Sequence, residues 1–327
     1  MNKTLTFLSA VTFYLAGLTG TEAEEASQIP RVGVLVPELQ RLESQVVNGL
    51  RDGVKELGYH ERKSILIEVR NAKGDRTALE SMARELLSLK VRLILTTGTR
   101  ATRVAKEATR EIPIVFVHPA DPVALGLVNS MAQPGGNTTG VAGLSLQMTE
   151  KRMELLKEVV PKLRQIHVFY DANNKFSKEN FALAQKAAAK LGLEVAERPI
   201  KSVEELKASI SGIQKGEGDA LFHVPDDLVE GQADFIFEAA RKVKLPTMFN
   251  EERWVTRGGL AAYGPNYYQM GRQASQLVSK IIKGEKPQNL PVERANKFDL
   301  VINLRTANLI SLSIPSEVVK RADRVIR

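Results

Sequence analysis

An uninterrupted apolar run, Ile114-Val115-Phe116-Val117, stands between Pro113 and Pro119. It is too short for a helix and carries no polar alternation. It therefore reads as a strand buried on both faces, the kind that parallel sheets contain. Its carboxyl end leads into His118-Pro119-Ala120-Asp121-Pro122, a polar loop stiffened by proline. In open α/β sheets ligands bind beside that edge. Pro134-Gly135-Gly136-Asn137 then marks a turn, and Gly140–Gly143 is a second short extended run. With one α/β unit before this stretch and another after it, residues 112–145 form the expected hinge.

The flanking sequence supplies both units. Strands are predicted at Arg31–Val36, Ser64–Arg70 and Val91–Thr96. Helices are predicted over Glu43–Leu57, from Asp75 or Thr77 to Leu89, and over Arg100–Thr109. Beyond the hinge come a helix Lys151–Val160, a strand Gln165–Tyr170 and an alanine-rich helix Lys178–Leu191. A strand Leu193–Ile200, a helix Val203–Ile213 capped by Ser202 and a strand Asp219–Val224 follow. Next are a helix Gln232–Val243, a strand Leu245–Asn250 and a short extended piece Gly258–Gly264. A helix Tyr267–Lys283, a last strand Lys297–Asn303 and a helical tail Ile314–Arg327 close the chain. Strands alternating with helices give an α/β fold with mainly parallel sheets. A chain of 327 residues exceeds one average domain, so two lobes with separate cores are expected. The first is expected to take residues 30–120 plus about 262–290, and the second 138–261 plus about 295–327.

Composition narrows the function. The net charge of +8 is scattered along helices such as Glu150–Lys162, which read as solvated faces. No basic stretch interleaved with aromatics is present, so nucleic acid is not an expected partner. The chain has no cysteine, which removes disulfides, thiol nucleophiles and zinc–thiolate sites together. Lys3, the apolar run Leu5–Leu18 and the small residue Ala23 resemble a secretory signal covering residues 1–23. A cleaved signal, and no cysteine to carry a lipid, point to an unanchored periplasmic protein.

Catalytic motifs are absent. There is no GxSxG elbow, no GxxxxGK[ST] phosphate loop, no HExxH, and no GxGxxG after the first strand. His60, His118, His167 and His223 are far apart, His167 inside a strand, and no third ligand completes a metal site. Neither an enzyme nor a cofactor is expected. What remains is a set of polar residues at strand ends. Glu38, Thr97, Gly98, Thr99, His118 and Asp121 come from the first unit. Tyr170, Asp171, His223, Asp226, Asn250, Glu251 and Tyr263 come from the second. A cleft lined in this way is a small-molecule site. Thr97-Gly98-Thr99 opens a helix, whose first N–H groups suit an anion such as a carboxylate; the alternative is that Thr99 only caps that helix. Asp226 or Glu251 can hold an ammonium group, and Tyr170 and Tyr263 can stack on a ring or simply pack.

Several stretches, taken in order, carry a resemblance: NGLRDGVKELGY, TTGTRATRVAKEAT, IPIVFVHPADPVALGLVNSMAQPGGNTTG, KRMELLKEVVP, GGLAAYG, KFDLVINLRTAN and IPSEVVKRADRVI. Together they span nearly the whole chain after the signal. The sequence resembles the periplasmic substrate-binding proteins of ABC transporters, in the group that contains tryptophan/tyrosine-type uptake receptors. The resemblance implies a type I periplasmic-binding fold: two Rossmann-like lobes joined by a multi-crossing hinge and closing on a ligand. It implies a monomer that delivers a small amino-acid-like or carboxylate ligand, aromatic amino acids included, to an inner-membrane ABC permease. By position, its cleft loops fall on Thr97, Gly98, Thr99, Asp121, Tyr170, Asp226, Asn250 and Tyr263. The alternative on the same fold is a ligand-sensing receptor that feeds a membrane signalling protein.

Overall fold

The computed structural model describes residues 29–37, 41–118, 120–144, 146–214 and 218–327. The expected signal segment and Glu38 lie outside them, as does the side chain of His118. The first half of the chain runs β1 (Arg31–Val36), α1 (Arg41–Glu56), β2 (Leu66–Asn71), α2 (Arg76–Ser88), β3 (Leu93–Thr97), α3 (Gly98–Ala108), β4 (Ile114–His118) and β5 (Thr138–Ala142). The second half runs α4 (Thr149–Val159), β6 (Gln165–Asp171), α5 (Lys175–Lys190), β7 (Glu194–Ile200), α6 (Val203–Ser211) and β8 (Asp219–Phe222). It continues with α7 (Asp227–Glu230), α8 (Ala233–Lys242), β9 (Thr247–Phe249), α9 (Glu252–Thr256) and β10 (Ala261–Pro265). Then come α10 (Tyr267–Ile282), β11 (Glu293–Arg294), β12 (Phe298–Asn303), α11 (Leu304–Leu309), α12 (Ser316–Arg321) and β13 (Arg324–Ile326).

These elements build two sheets. The first has the order β2-β1-β3-β4-β5-β11 and every pair in it is parallel. The second has the order β7-β6-β8-β9-β10-β12-β13, with β10 and β12 antiparallel and the rest parallel. The central strands of each sheet are buried on both faces because they are mostly apolar, whereas the edge strands β2, β7 and β13 are partly exposed. Val32, Val34 and Val36 of β1 pack with α1 and α10 on one side, whereas Leu35 joins the core under α2 and α3. The expected α/β architecture is observed.

Three boundaries differ from expectation. The extended run near Gly140 was expected to open the second lobe, yet β5 pairs along its length with β4 of the first sheet. Its Gly140 lies against Phe116, and a Cβ there would sit 2.2 Å from the Phe116 carbonyl oxygen. Glycine is what lets this polar-looking strand reach the sheet. Conversely, Ala262–Pro265 was expected with the first lobe but pairs with β9 and β12 in the second sheet. After it, α10 packs on the first unit and β11 joins the first sheet beside β5. The tail is not one helix either: α12 is short, and β13 adds an edge strand beside β12.

His167 is a core histidine of the second sheet. Its Nε2 faces Asp219 Oδ2 at 3.4 Å, and its Nδ1 lies 3.4 Å from Arg198 Nη2. Burial holds its pKa below the usual 6.5, and Arg198 adds to the depression. The folded protein thus binds fewer protons here than the unfolded chain. Stability linked to His167 is present above pH 6.5 and is lost as pH falls toward the lowered folded value. We expect His167→Gln to flatten the urea-midpoint-against-pH profile below about pH 6.5. An unchanged acid slope would exclude this role.

Candidate functional site

In each sheet the strand order reverses beside the first strand of the unit: β2 and β3 flank β1, and β7 and β8 flank β6. A crevice opens at the carboxyl ends of strands at such a point. In the first unit that position is the end of β3. Thr97 adopts an extended backbone at the cap position of α3, and the helix starts at Gly98. Thr99 is therefore inside the first helical turn, and Thr97 is the cap residue. Thr97 makes no side-chain capping bond; it is 5% exposed, and its Oγ1 has no hydrogen-bond partner. Gly98 has φ +77°, and a Cβ there would meet nothing within 4 Å. The turn is open where a ligand would approach the backbone.

The neighbouring Thr96 hydroxyl is instead satisfied by Thr102 at 2.8 Å, and Thr102 also donates to the Gly98 carbonyl at 2.8 Å. Those two bonds fix the turn from the side away from Thr97. Asp121 serves the loop after β4. Its Oδ1 accepts from the N–H groups of Val123 and Ala124 at 2.9 and 3.2 Å. His118 ends β4 opposite Ala142 of β5.

Several of the expected ligand groups of the second unit hold partners within the protein. Tyr170 faces the core with Ile166 and Val168, because alternate residues of β6 share a face. Its ring stacks on Phe181 at 4.7 Å, and its hydroxyl donates to Glu197 Oε1 at 2.5 Å. Burial, reinforced by Glu197, pushes the phenol up to about 12. Asp226 is 4% exposed, and both its carboxylate oxygens are engaged. Oδ2 accepts the Asp171 N–H at 2.7 Å and Oδ1 the Val229 N–H at 2.9 Å. It clamps the loop after β6 to the loop after β8. Asp171 itself accepts the Asn173 N–H at 2.8 Å.

Glu251 is also committed, its Oε2 lying 2.8 Å from Arg253 Nε. Arg253 reaches on to Glu230 at 3.3 Å, and Glu230 faces His223 Nε2 at 3.4 Å. His223 stacks on Phe249 with centroids 5.0 Å apart. Asn250 is buried with an unpartnered Oδ1. Tyr263 is half-buried and stacks on Phe298 at 6.0 Å, close to the crossing that leads into α10.

A residue absent from the expected set completes this edge. Arg152, in the first turns of α4, has no exposed surface. Glu150–Lys162 had read as a solvated face, but Arg152 falls on the apolar stripe with Leu155, Leu156 and Val159. That spacing was the available signal. Its guanidinium lies over the Phe222 ring at 4.9 Å and donates from Nη2 to the His223 carbonyl at 3.2 Å. Burial pushes its pKa down to about 9, against the attraction of Glu251.

Among the described residues no group of three or more His, Cys, Asp or Glu is placed to hold a metal ion. No described helix is long and apolar enough to cross a membrane. A family model described as ABC transporter substrate binding protein matches residues 32–326. The chain belongs to that family. A tyrosine-binding protein of Clostridioides difficile is 30% identical to this substrate-binding protein over 277 residues, 84% of this chain and 78% of the relative. A conserved domain protein from Vibrio cholerae is 29% identical with a TM-score of 0.76, over 91% of this chain and all of the other. An ABC domain from Streptococcus pneumoniae in complex with L-Trp is 25% identical, also at TM-score 0.76, over 91% and 100% of the two chains. The fold is that of type I periplasmic-binding proteins, and the family binds solutes rather than transforming them.

Proposed function

We propose that this chain is the periplasmic receptor of an ABC importer, exported by a cleaved signal and without a lipid anchor. It closes as a monomer on a small amino-acid-like carboxylate, aromatic amino acids included, and delivers it to a membrane permease. The relatives named for tyrosine and bound to L-Trp support the ligand class. The observation that carries the reading is the open Thr97-Gly98-Thr99 turn at the crevice of the first sheet. A buried threonine hydroxyl without a partner stands there at the start of an eleven-residue helix. Partial positive charge at a helix start, a glycine that leaves room, and a spare donor together suit a carboxylate.

Thr97→Val separates ligand contact from structure, because it removes only a hydroxyl that has no hydrogen-bond partner within the protein. Stability is expected to stay within about 0.5 kcal/mol of the parent. Binding of an amino acid is expected to weaken by about 1.5–3 kcal/mol, the scale of a hydrogen bond to a charged group. The corresponding amide should lose less. Calorimetric titration of acid and amide into both proteins checks this, and equal losses would remove Thr97 from the site.

A further inference from the structure

Arg152 heads the fully buried side chains of the described residues by size. A guanidinium taken out of water is ordinarily matched on its nitrogens, because an unmet buried charge is costly. Here Nη2 has the His223 carbonyl, while Nε and Nη1 have no hydrogen-bond partner. Glu251 attracts the group but has its Oε2 against Arg253. His223 Nδ1 and Asn250 Oδ1, on the same strand ends, are buried and unmatched as well. One sheet edge thus concentrates unmet polar atoms, donors foremost, directly after the crossing between β5 and α4.

We infer that Arg152 is the second unit's receptor for the ligand's carboxylate, so that the solute class is a carboxylic acid held by donors from both units. The inference rests on the solute-receptor reading above and adds the group that recognises the anion. A guanidinium suits the planar pair of carboxylate oxygens. Glu251 nearby opposes a dianion, so a monovalent carboxylate fits this edge better than a phosphate. The group is covered in this conformation, and on the closing-receptor reading above the ligand reaches it when the two units part. Charge held out of water is then matched by the ligand's carboxylate. Closure becomes coupled to the presence of a carboxylate.

The test is a calorimetric titration of the parent, Arg152→Lys and Arg152→Met with L-tyrosine, L-tryptophan and the amide of each. The parent should favour acid over amide. Arg152→Met should cut that preference at least tenfold, and Arg152→Lys should retain part of it. An unchanged acid-to-amide ratio in Arg152→Met, with parental binding of the acids intact, would overturn the assignment and leave the receptor reading standing. Failure of the parent to bind any of the four compounds would overturn both the assignment and the amino-acid-like ligand class. Should Arg152→Met fail to fold, Arg152→Lys and the 15N–1H resonance of the Arg152 Nε group in the parent decide. A shift of that resonance with L-tyrosine and none with the amide supports the inference; no shift with either refutes it.

Discussion

Gly271→Ala is expected to destabilise the protein by up to about 2 kcal/mol, the roughly 1–3 kcal/mol cost of overpacking net of the roughly 1 kcal/mol that alanine gains in a helix interior. The reason lies in the seam between α1 and α10. A Cβ on Gly271 would sit 2.2 Å from the Val46 carbonyl oxygen, and one on Gly49 would sit 2.0 Å from the Tyr268 carbonyl oxygen. Both obstacles are backbone, so no side-chain rotation relieves them. The axes must separate, and the ties along the seam must stretch. These include Tyr268 Oη to Asp52 at 2.8 Å and the Arg272–Glu56 ion pair. Gly49→Ala should act alike, and the double variant should lose less than the sum because either methyl already parts the helices. Gly212→Ala is the control, since a Cβ there meets nothing closer than 3.4 Å. Urea denaturation of the parent and the four variants checks the set; near-neutral behaviour of Gly271→Ala would mean that the seam is not close-packed.

Asp226→Ala is expected to cost on the order of 2–5 kcal/mol, because two peptide N–H groups lose their acceptor at about 1–3 kcal/mol each. Asp226→Asn keeps one carbonyl oxygen and should lose about half as much. The clamp holds the loops after β6 and β8 together, so ligand affinity should fall as a consequence of displaced loops. That loss should be similar for an amino acid and its des-amino analogue. A direct ammonium contact would spare the analogue. Stability and calorimetry measured on the same preparations distinguish the two. Full parental stability with selective loss of the amine-bearing ligand would restore Asp226 as a ligand group.

Most of the architecture was legible because strands buried on both faces announce themselves. Ile114–Val117 and Arg31–Val36 could be little else. Elements that depend on partners were not legible. β5 spells Thr-Thr-Gly-Val-Ala and is buried only because Gly140 fits against Phe116. β13 is three residues long and exists through its pairing with β12. The site was half legible. The Thr97-Gly98-Thr99 turn follows from a strand running into a helix, which local sequence encodes. The roles of Tyr170 and Asp226 follow from what lies across the sheet. Tyr170 belongs by parity with Ile166 and Val168, and the peptide N–H groups that occupy Asp226 come from two other positions in the chain. Arg152 was hidden in a run of charges, although its register with Leu155, Leu156 and Val159 was there to be counted.

The most direct test is a melt of the protein against amino acids, small carboxylates, nucleobases and short peptides. A receptor is stabilised by what it binds in proportion to the logarithm of ligand concentration over Kd. A dose-dependent rise in Tm is expected with one or a few carboxylate-bearing amino acids, a smaller rise with their amides, and recovery of the compound unchanged. A rise confined to uncharged solutes, or conversion of the bound compound into a product, would contradict the proposed function.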